Sequence, residues 1–300
     1  MVPADETSLP GMKTVSANTE EKNNASYFPN IEYVKRGDTA LHLQLILPEG
    51  IFPGMPSSKR FPLVVYVQGA AWGEQEMYFN LPQIGELARR GYAVASVKHR
   101  ASHVAGFPAF LQDVKSAIRF LRAHADTYHI DPDETAIWGD SSGGHAALMV
   151  GVTGDMEAFK TEDNHDVSDT VKAVIDFFGP TDLTKINDAP RNPESTADPA
   201  NSPESILFGG CVADHPELAQ PGNPLQYVSA EKSLPPFLIA HGDRDAMVPF
   251  HQSVLMVEKL QQCGKEVEFY KVCGADHGIF FWSRELLDIV EAFLARHLKG

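Results

Sequence analysis

Six short runs of apolar and β-branched residues recur along the chain, and they constrain its fold more than any other feature. They are FPLVVYVQ at 61–68, YAVASVKH at 92–99, TAIWG at 135–139, VKAVIDFFG at 171–179, PFLIAHG at 236–242 and EVEFYKV at 266–272. A continuous apolar run of this length is typical of a strand covered on both faces. The stretch ALHLQLILP at 40–48 instead alternates apolar and polar residues, as a half-buried strand does.

Helical patterns lie between these runs. Apolar residues at three- and four-residue steps predict a helix within residues 107–128, and weaker patterns cover residues 80–90, 251–263 and 285–297. Strands that alternate with helices favour a mostly parallel sheet with helices on both faces, which is the α/β class. The chain has 300 residues, enough for one large domain of this kind.

Two segments depart from this alternation. Residues 1–30 are polar and predict an N-terminal arm, so that the folded α/β domain is expected over residues 31–300. Residues 181–234 are rich in Pro, Asn, Asp and Ser and are too long for an ordinary connection. Apolar residues within this segment favour an insertion that packs over the sheet and shapes a pocket.

Composition limits the possible partners and location. The formal net charge is −15, and no basic stripe is present to neutralise phosphates, so we expect no nucleic-acid partner. No apolar run reaches the length of a membrane helix, and residues 1–26 lack the pattern of a signal peptide, so a cytoplasmic protein without a membrane partner is expected. The three cysteines have neither CxxC nor metal-ligand spacing, which predicts free thiols and no metal site.

The stretch GDSSGGH at 139–145 lies between an apolar strand and a run of small residues that resembles a helix. A strand that reverses directly into a helix places a strained residue at its apex, and the neighbours of that residue must be small. The pattern G-x-S-x-G fits only Gly139 to Gly143, with Ser141 at the apex. Ser141 is therefore the predicted nucleophile.

A serine nucleophile needs a base and an acid, and after such a turn they follow in the order acid, then histidine. His277 lies in a loop after the last predicted strand, between Gly274 and Gly278, and is the predicted base. Asp245 follows the strand at 236–242 and is the predicted acid, with Asp243 as the alternative.

The oxyanion of an acyl-transfer intermediate needs two backbone N–H groups. Ser142, directly after the nucleophile, is predicted to supply one. The loop after the strand at 61–68 is predicted to supply the other, with Ala70 as the first candidate and Ala71 as the second. Trp72 in the same loop is a candidate for substrate binding, although a core position is equally compatible with its residue type.

These stretches together resemble a known superfamily. From about Tyr33 to the end, the chain is similar to α/β-hydrolases, in particular to bacterial carboxylesterases related to hormone-sensitive lipase and to acetyl-xylan/feruloyl esterases. The similarity lies in YVQGAAW, FPAFLQDVKSAIRFLRAHADTYHIDPDETAIWGDSSGGHAAL, HGDRDAMVPFHQS and GADHG. Many relatives have His-Gly-Gly-Gly where this chain has Gln68-Gly69-Ala70-Ala71, and this difference favours the acetyl-xylan/feruloyl branch.

The resemblance implies a Ser141–His277–Asp245 triad, an oxyanion hole that includes Ala70 and Ser142, and hydrolysis without a cofactor. The predicted function is therefore a serine carboxylic ester hydrolase that forms an acyl-enzyme on small or carbohydrate-linked esters of the acetyl or feruloyl type. Two alternatives remain open at this point, namely a peptidase of the same fold and an inactive hydrolase fold that serves as a small-molecule receptor. The natural substrate and the oligomeric state are not encoded in any motif.

Overall fold

The computed structural model describes residues 6–17, 24–186, 199–278 and 280–298. Eight strands form a single sheet. They are β1 Ala25–Arg36, β2 Thr39–Pro48, β3 Phe61–Val67, β4 Ala93–Val97, β5 Ile130–Asp140, β6 Ala173–Phe177, β7 Phe237–Gly242 and β8 Val267–Val272. All seven strands predicted from apolar or alternating runs are present, with small differences at their ends.

The sheet order is β1-β2-β4-β3-β5-β6-β7-β8. Strands β4, β3, β5, β6, β7 and β8 pair in parallel, while β2 pairs antiparallel with both β1 and β4. Parallel strands need crossover connections, and the helices supply them. The carboxyl ends of β5, β7 and β8 therefore lie along one edge of the sheet, where open α/β sheets place their ligand sites.

Helices cover both faces of the sheet, as the alternation of apolar runs predicts. They are α1 Leu81–Ile84, α2 Glu86–Arg89, α3 Ala109–Ala123, α4 Ala125–Tyr128, α5 Ser142–Val152, α6 Pro203–Phe208, α7 His251–Gln262 and α8 Arg284–Leu298. One hydrophobic core joins the sheet to α3, α5 and α7, and a second joins it to α2 and α8. Successive residues of β3 alternate between them, because strand side chains point to opposite faces: Val65 packs in the first core and Tyr66 in the second.

Strand β1 begins at Ala25, so residues 25–30 belong to the sheet although the sequence assigned them to the polar arm. It is an edge strand with mostly exposed or half-buried residues, and it therefore lacks a continuous apolar run. Arg36 at its end donates to Asp113 on α3 (Nε–Oδ1, 3.1 Å) and to Asp163 (Nη1–Oδ1, 2.7 Å). Residues 6–17 of the arm are exposed and form no helix or strand, whereas residues 1–5 and 18–23 lie outside the described residues.

The segment predicted as an insertion, residues 181–234, contains α6 and several short 3₁₀ turns. Its Leu207, Val212, Ala219 and Val228 are buried in the first core, so the described part packs against the sheet as predicted. Residues 187–198 of this prediction lie outside the described residues. Among the helices that are described, none combines the length and the apolar character needed to span a bilayer.

Candidate active site

Ser141 lies at the sharp turn between β5 and α5. Its φ is 54° and its ψ is −126°, a combination that a residue with a side chain adopts only under constraint. The turn is held by the Ser141 N–H, which donates to the Phe177 carbonyl oxygen at 2.9 Å. A Cβ atom on Gly143 would stand 1.9 Å from the Val67 carbonyl oxygen, so this position admits glycine alone. The predicted apex and its small neighbours are thus present in the structure.

Three side chains from different strand ends meet at this turn. His277, in the loop after β8, lies with its Nε2 atom 2.9 Å from the Ser141 Oγ atom. Its Nδ1 atom lies 2.6 Å from the Oδ2 atom of Asp245, in the loop after β7. The imidazole can therefore donate from Nδ1 to the carboxylate while Nε2 accepts the serine proton, which is the arrangement that activates a serine.

Asp245 is held by three hydrogen-bond donors and a close contact with His241. Its Oδ1 atom accepts from the N–H groups of Met247 and Val248, each at 2.8 Å. Its Oδ2 atom lies 2.6 Å from His277 Nδ1 and 3.2 Å from His241 Nε2. Burial opposes ionisation of this carboxyl, but the contacts with His241 and His277 outweigh it and hold the pKa of Asp245 well below its usual range. A carboxylate that remains ionised fixes the orientation of the imidazole.

Asp243, the alternative acid, has a different role. Its Oδ1 atom accepts from the Gly274 N–H at 2.6 Å, so it ties the end of β7 to the loop that leads to His277. His241 is buried beside Asp245, where its Nδ1 atom contacts Ser253 Oγ at 2.7 Å and its Nε2 atom contacts the Val248 carbonyl oxygen at 2.9 Å. The structure thus brings Asp245, rather than Asp243, to His277.

The loop after β3 approaches the nucleophile closely. A Cβ atom on Gly69 would stand 2.6 Å from the Cβ atom of Ser141. The Ala70 N–H, which the sequence favoured as the first oxyanion donor, instead donates to Ser142 Oγ at 2.9 Å. Within the described residues, the N–H groups of Ala71 and Ser142 have no hydrogen-bond partner. Ala71 therefore replaces Ala70 as the favoured oxyanion donor, because the Ala70 N–H already donates to the Ser142 hydroxyl oxygen.

Trp72 is almost fully buried, with 3% of its surface exposed, yet it contributes to a cavity beside Ser141. Its indole N–H donates to the Nδ1 atom of His145 at 3.1 Å, and His145 Nε2 donates to the Gly222 carbonyl oxygen at 2.7 Å. Burial lowers the pKa of His145 to about 4, so this imidazole is neutral and acts as a bridge. Trp72 is mainly a structural side chain that shapes one wall of the site.

A series of hydrogen bonds between buried side chains holds the loop after β3 in place. Asn80 Nδ2 donates to Tyr66 Oη, and the Tyr66 hydroxyl donates to Asp140 Oδ1, each across 2.5 Å. The same carboxylate oxygen accepts from the Gly69 N–H at 3.1 Å. Burial of this carboxyl, partly offset by these hydrogen bonds, raises the pKa of Asp140. Asp140 thus joins the nucleophile turn to the loop that bears Ala71.

Two cavities meet at the nucleophile, and both are lined by Ala71, Ser141, Met247 and His277. The smaller has a volume of about 100 Å³ and is bounded otherwise by mostly apolar residues: Trp72, Ser142, Pro180, Ile186, Pro203, Glu204 and Val248. The larger has a volume of about 420 Å³. Its other lining residues are Gln68, Gly69, Ala70, Phe79, Asn80, Gln83, Asp140, Phe178, Gly278 and Trp282. Part of the predicted insertion thus contributes to the wall of the smaller cavity.

Phe178 is a site residue that the sequence did not single out. Its ring packs on the imidazole of His277 with ring centroids 4.6 Å apart, and its φ of 44° places it in the left-handed region. The one signal available was its position at the carboxyl end of β6, on the same sheet edge as the predicted triad. A phenylalanine in an apolar run is usually a core residue, so residue type alone did not distinguish it.

The chain is similar in sequence to several known esterases. The esterase LipC of Mycobacterium tuberculosis is 29% identical over 75% of this chain and 54% of its own length. The chain spans about half the length of curated relatives that it matches, among them LipC, LipM and LipQ.

Two solved structures are similar over most of the chain. A truncated carbohydrate esterase from gut microbiota superposes with a TM-score of 0.79 and 28% identity, covering 94% of this chain and 99% of that one. A bifunctional GH43-CE protein of Bacteroides eggerthii gives a TM-score of 0.78 and 33% identity over 90% of this chain and 38% of that one. The fold is therefore that of the α/β-hydrolase esterases, as the resemblance of the motifs implied.

Residues 51–260 match the BD-FAE family, and this match includes the loop after β3, Ser141 and Asp245. The match covers more than half of the chain. The chain belongs to the BD-FAE family of α/β-hydrolases.

Proposed function

We propose that this protein is a serine carboxylic ester hydrolase in which Ser141 is the nucleophile, His277 the general base and Asp245 the residue that orients the base. The main support is the unbroken hydrogen-bond chain from Ser141 Oγ through His277 to Asp245, with links of 2.9 and 2.6 Å. The esterases among the relatives and the carbohydrate esterase among the similar structures favour ester rather than amide substrates.

The first half of the reaction acylates the enzyme. Ser141 Oγ attacks the ester carbonyl carbon while His277 Nε2 takes the hydroxyl proton, and Asp245 stabilises the imidazolium that forms. The carbonyl oxygen becomes an oxyanion, which accepts hydrogen bonds from the N–H groups of Ala71 and Ser142. His277 then gives its proton to the alcohol oxygen, and the bond between that oxygen and the acyl carbon breaks.

The second half releases the acid. Water enters where the alcohol departed, and His277 Nε2 takes one of its protons as the oxygen attacks the acyl carbon. The tetrahedral intermediate collapses, Ser141 Oγ leaves with the proton returned by His277, and a carboxylic acid is released. This sequence needs no redox step and no group beyond the protein side chains, the backbone donors and water.

The acyl group fits the smaller cavity. Its volume of about 100 Å³ is small beside the 420 Å³ of the neighbouring cavity. The walls are mostly apolar, so they suit a short hydrocarbon chain. A short acyl group such as acetyl suits this small apolar cavity, and we therefore favour the acetyl type of ester.

A direct test compares wild type with Ser141→Ala on 4-nitrophenyl esters of increasing acyl length. We expect the wild-type enzyme to prefer acetyl to butyryl esters, and we expect kcat of the variant to fall by about a thousandfold or more. Equal rates in the two proteins would contradict the function. Cleavage of peptides without any esterase activity would favour the peptidase, and activity on neither substrate would favour a receptor.

A further inference from the structure

Met247 contributes a large apolar side chain to both of the cavities that meet at the nucleophile. The other lining residues that the two cavities share are Ala71, Ser141 and His277. Ser141 and His277 are the reacting groups, and Ala71 has only a methyl group beyond its backbone. The side chain of Met247 therefore borders both the space assigned to the acyl group and the space left for the alcohol.

Most of the other large side chains around the smaller cavity are fixed in place by their burial. They are Trp72, Pro180, Ile186, Glu204 and Val248. Trp72 is in addition held by its hydrogen bond to His145. Because a protein interior is close-packed, buried side chains such as these cannot recede without opening voids or breaking contacts elsewhere. This part of the wall cannot move aside for a longer acyl chain.

Met247 differs from these residues in exposure and in flexibility. Its residue surface is 57% exposed, and an unbranched methionine side chain has three rotatable bonds. Pro203 is also an exposed lining residue of the smaller cavity, but it is the first residue of α6 and its ring has no comparable freedom. Among the large residues around this cavity, Met247 is therefore the one whose side chain can be changed without disturbing the core.

We propose that the side chain of Met247 closes the smaller cavity on the side of the larger one, and thereby sets the upper limit of acyl-chain length. The inference rests on the proposed ester hydrolysis with the acyl group in the smaller cavity. In the wild type, the thioether side chain occupies the space into which a longer acyl chain would extend. A short side chain at position 247 joins the two cavities, so that a longer chain can continue into the larger one.

The backbone of Met247 has a separate role that a change of side chain leaves in place. Its N–H donates to Asp245 Oδ1 at 2.8 Å, and an alanine at this position keeps that donor. Loss of the triad geometry would lower the rates of all esters together. A change in the cavity alone instead alters the ratio of kcat/KM between two esters, which is the measure of specificity.

The experiment uses ethyl acetate, ethyl hexanoate and hexyl acetate, with kcat/KM measured by titration of the acid released. The acyl ratio compares ethyl hexanoate with ethyl acetate, and the alcohol ratio compares hexyl acetate with ethyl acetate. We expect the wild type to prefer ethyl acetate to ethyl hexanoate. In Met247→Ala, we expect the acyl ratio to rise at least about tenfold and the alcohol ratio to change by less than about threefold, because the larger cavity already has room for the alcohol.

Two further variants serve as controls. Met247→Leu keeps a side chain of similar volume, so its acyl ratio should stay within about threefold of wild type. Met55→Ala removes another exposed methionine, which lies in the loop before β3 and therefore at the opposite edge of the sheet. Both ratios should stay within about twofold of wild type in Met55→Ala.

An unchanged acyl ratio in Met247→Ala, or a rise in the alcohol ratio alone, would overturn the role of Met247 and leave the esterase function intact. A wild type that already prefers ethyl hexanoate to ethyl acetate would overturn it as well. Failure of the wild type to cleave any of the three esters would instead overturn the proposed function.

Discussion

The carboxylate of Asp245 fixes which nitrogen of His277 is protonated. Its Oδ1 atom accepts from the backbone of Met247 and Val248, so only Oδ2 remains for the imidazole. An amide at this position has one oxygen and one NH₂ group. If the oxygen keeps the backbone contacts, the NH₂ group faces His277 Nδ1, which must then accept and leave its proton on Nε2.

The substitution Asp245→Asn is therefore expected to lower kcat by about 10³- to 10⁴-fold with little change in KM, because Nε2 can no longer take the serine proton. The measurement is the rate of 4-nitrophenyl acetate hydrolysis at saturating substrate. Asp243→Asn is the matched control, since its Oδ1 atom still accepts the Gly274 N–H, and we expect its kcat to stay within about twofold. A loss below tenfold in Asp245→Asn would contradict the assignment.

Ser142 illustrates how a single hydroxyl changes the use of a loop. Its Oγ atom accepts the Ala70 N–H, so that donor is already engaged within the protein. Residue type alone did not reveal this, because small residues at 69–71 allow either N–H group to face the nucleophile. The adjacent Ala71 has a φ of 50°, so the loop turns sharply at the point where its N–H becomes available.

At the scale of elements, His145 connects three parts of the molecule. It lies on α5, accepts from Trp72 in the loop after β3, and donates to the Gly222 carbonyl in the predicted insertion. The helix that follows the nucleophile, the oxyanion loop and part of the pocket wall are thus joined through one imidazole.

Replacing His145 with leucine is expected to lower the free energy of unfolding by about 2 to 4 kcal/mol, because the buried Trp72 N–H and Gly222 carbonyl lose their partner. Urea denaturation at about pH 7.5 measures this change. The exposed His165 pairs with Glu157 and Asp166 at the surface, so His165→Leu should change the free energy by less than about 0.5 kcal/mol. Equal stability of the two variants would show that the bridge is unimportant.

The elements that the sequence predicted share one property, which is a strong apolar pattern. Strands β3 to β7 are apolar because both faces are covered. The edge strand β8, predicted as another covered strand, is only half-buried, and β1 has exposed positions, Pro29, and a register shift between Phe28 and Ile31. Edge strands with such interruptions do not differ from loops in their residue pattern. The same reason explains why α6, a helix of six residues in the insertion, was not predicted.

The candidate site was predictable to a similar extent. Ser141, Asp245 and His277 follow from a turn motif and from chain order at strand ends, and the structure brings their side chains together. Phe178 and the amides of Asn80 and Gln83 belong to no motif. Their positions depend on how separate segments pack around the cavity, which a single sequence does not specify.

At the scale of the whole molecule, two buried groups make opposite contributions to stability as the pH changes. Burial raises the pKa of Asp176 to about 7 from its ordinary value of 3.8, and the nearby charge of Asp140 acts in the same direction. The hydrogen bond from the Gly179 N–H lowers this pKa and offsets part of the shift. The folded protein retains this proton while the unfolded chain releases it, so the stabilising contribution is lost as the pH rises from about 4 to 7. For His145 the folded pKa of about 4 lies below its ordinary 6.5, so its contribution is lost as the pH falls through that interval.

The substitution Asp176→Asn removes the first contribution and retains an acceptor for the Gly179 N–H. We expect the variant to exceed wild type in free energy of unfolding by about 1 to 4 kcal/mol at about pH 8, and to approach it near pH 4. Between about pH 4 and 6.5, the free energy of unfolding of the variant should rise with pH. The contribution of His145 increases over this interval, and the opposite contribution of Asp176 has been removed. Urea denaturation across this range measures both slopes, and a variant less stable than wild type at about pH 8 would contradict the assignment.

The position of the site follows from the sheet as a whole. Strands β5, β6, β7 and β8 are parallel neighbours, so the turns after them converge on one edge and bring Ser141, Phe178, Asp245 and His277 together. Two hydrophobic cores on opposite faces hold the strands in register and leave the loops at this edge free to form the cavities. The chemistry therefore depends on the alternation of apolar runs from which the fold was predicted.

The most direct measurement of the central claim, that Ser141 is the nucleophile, is covalent labelling with a fluorophosphonate followed by peptide mass spectrometry. We predict one adduct per chain on Ser141, the same adduct in Ser142→Ala, and none in Ser141→Ala. An adduct on Ser142, or undiminished labelling of Ser141→Ala, would contradict the account.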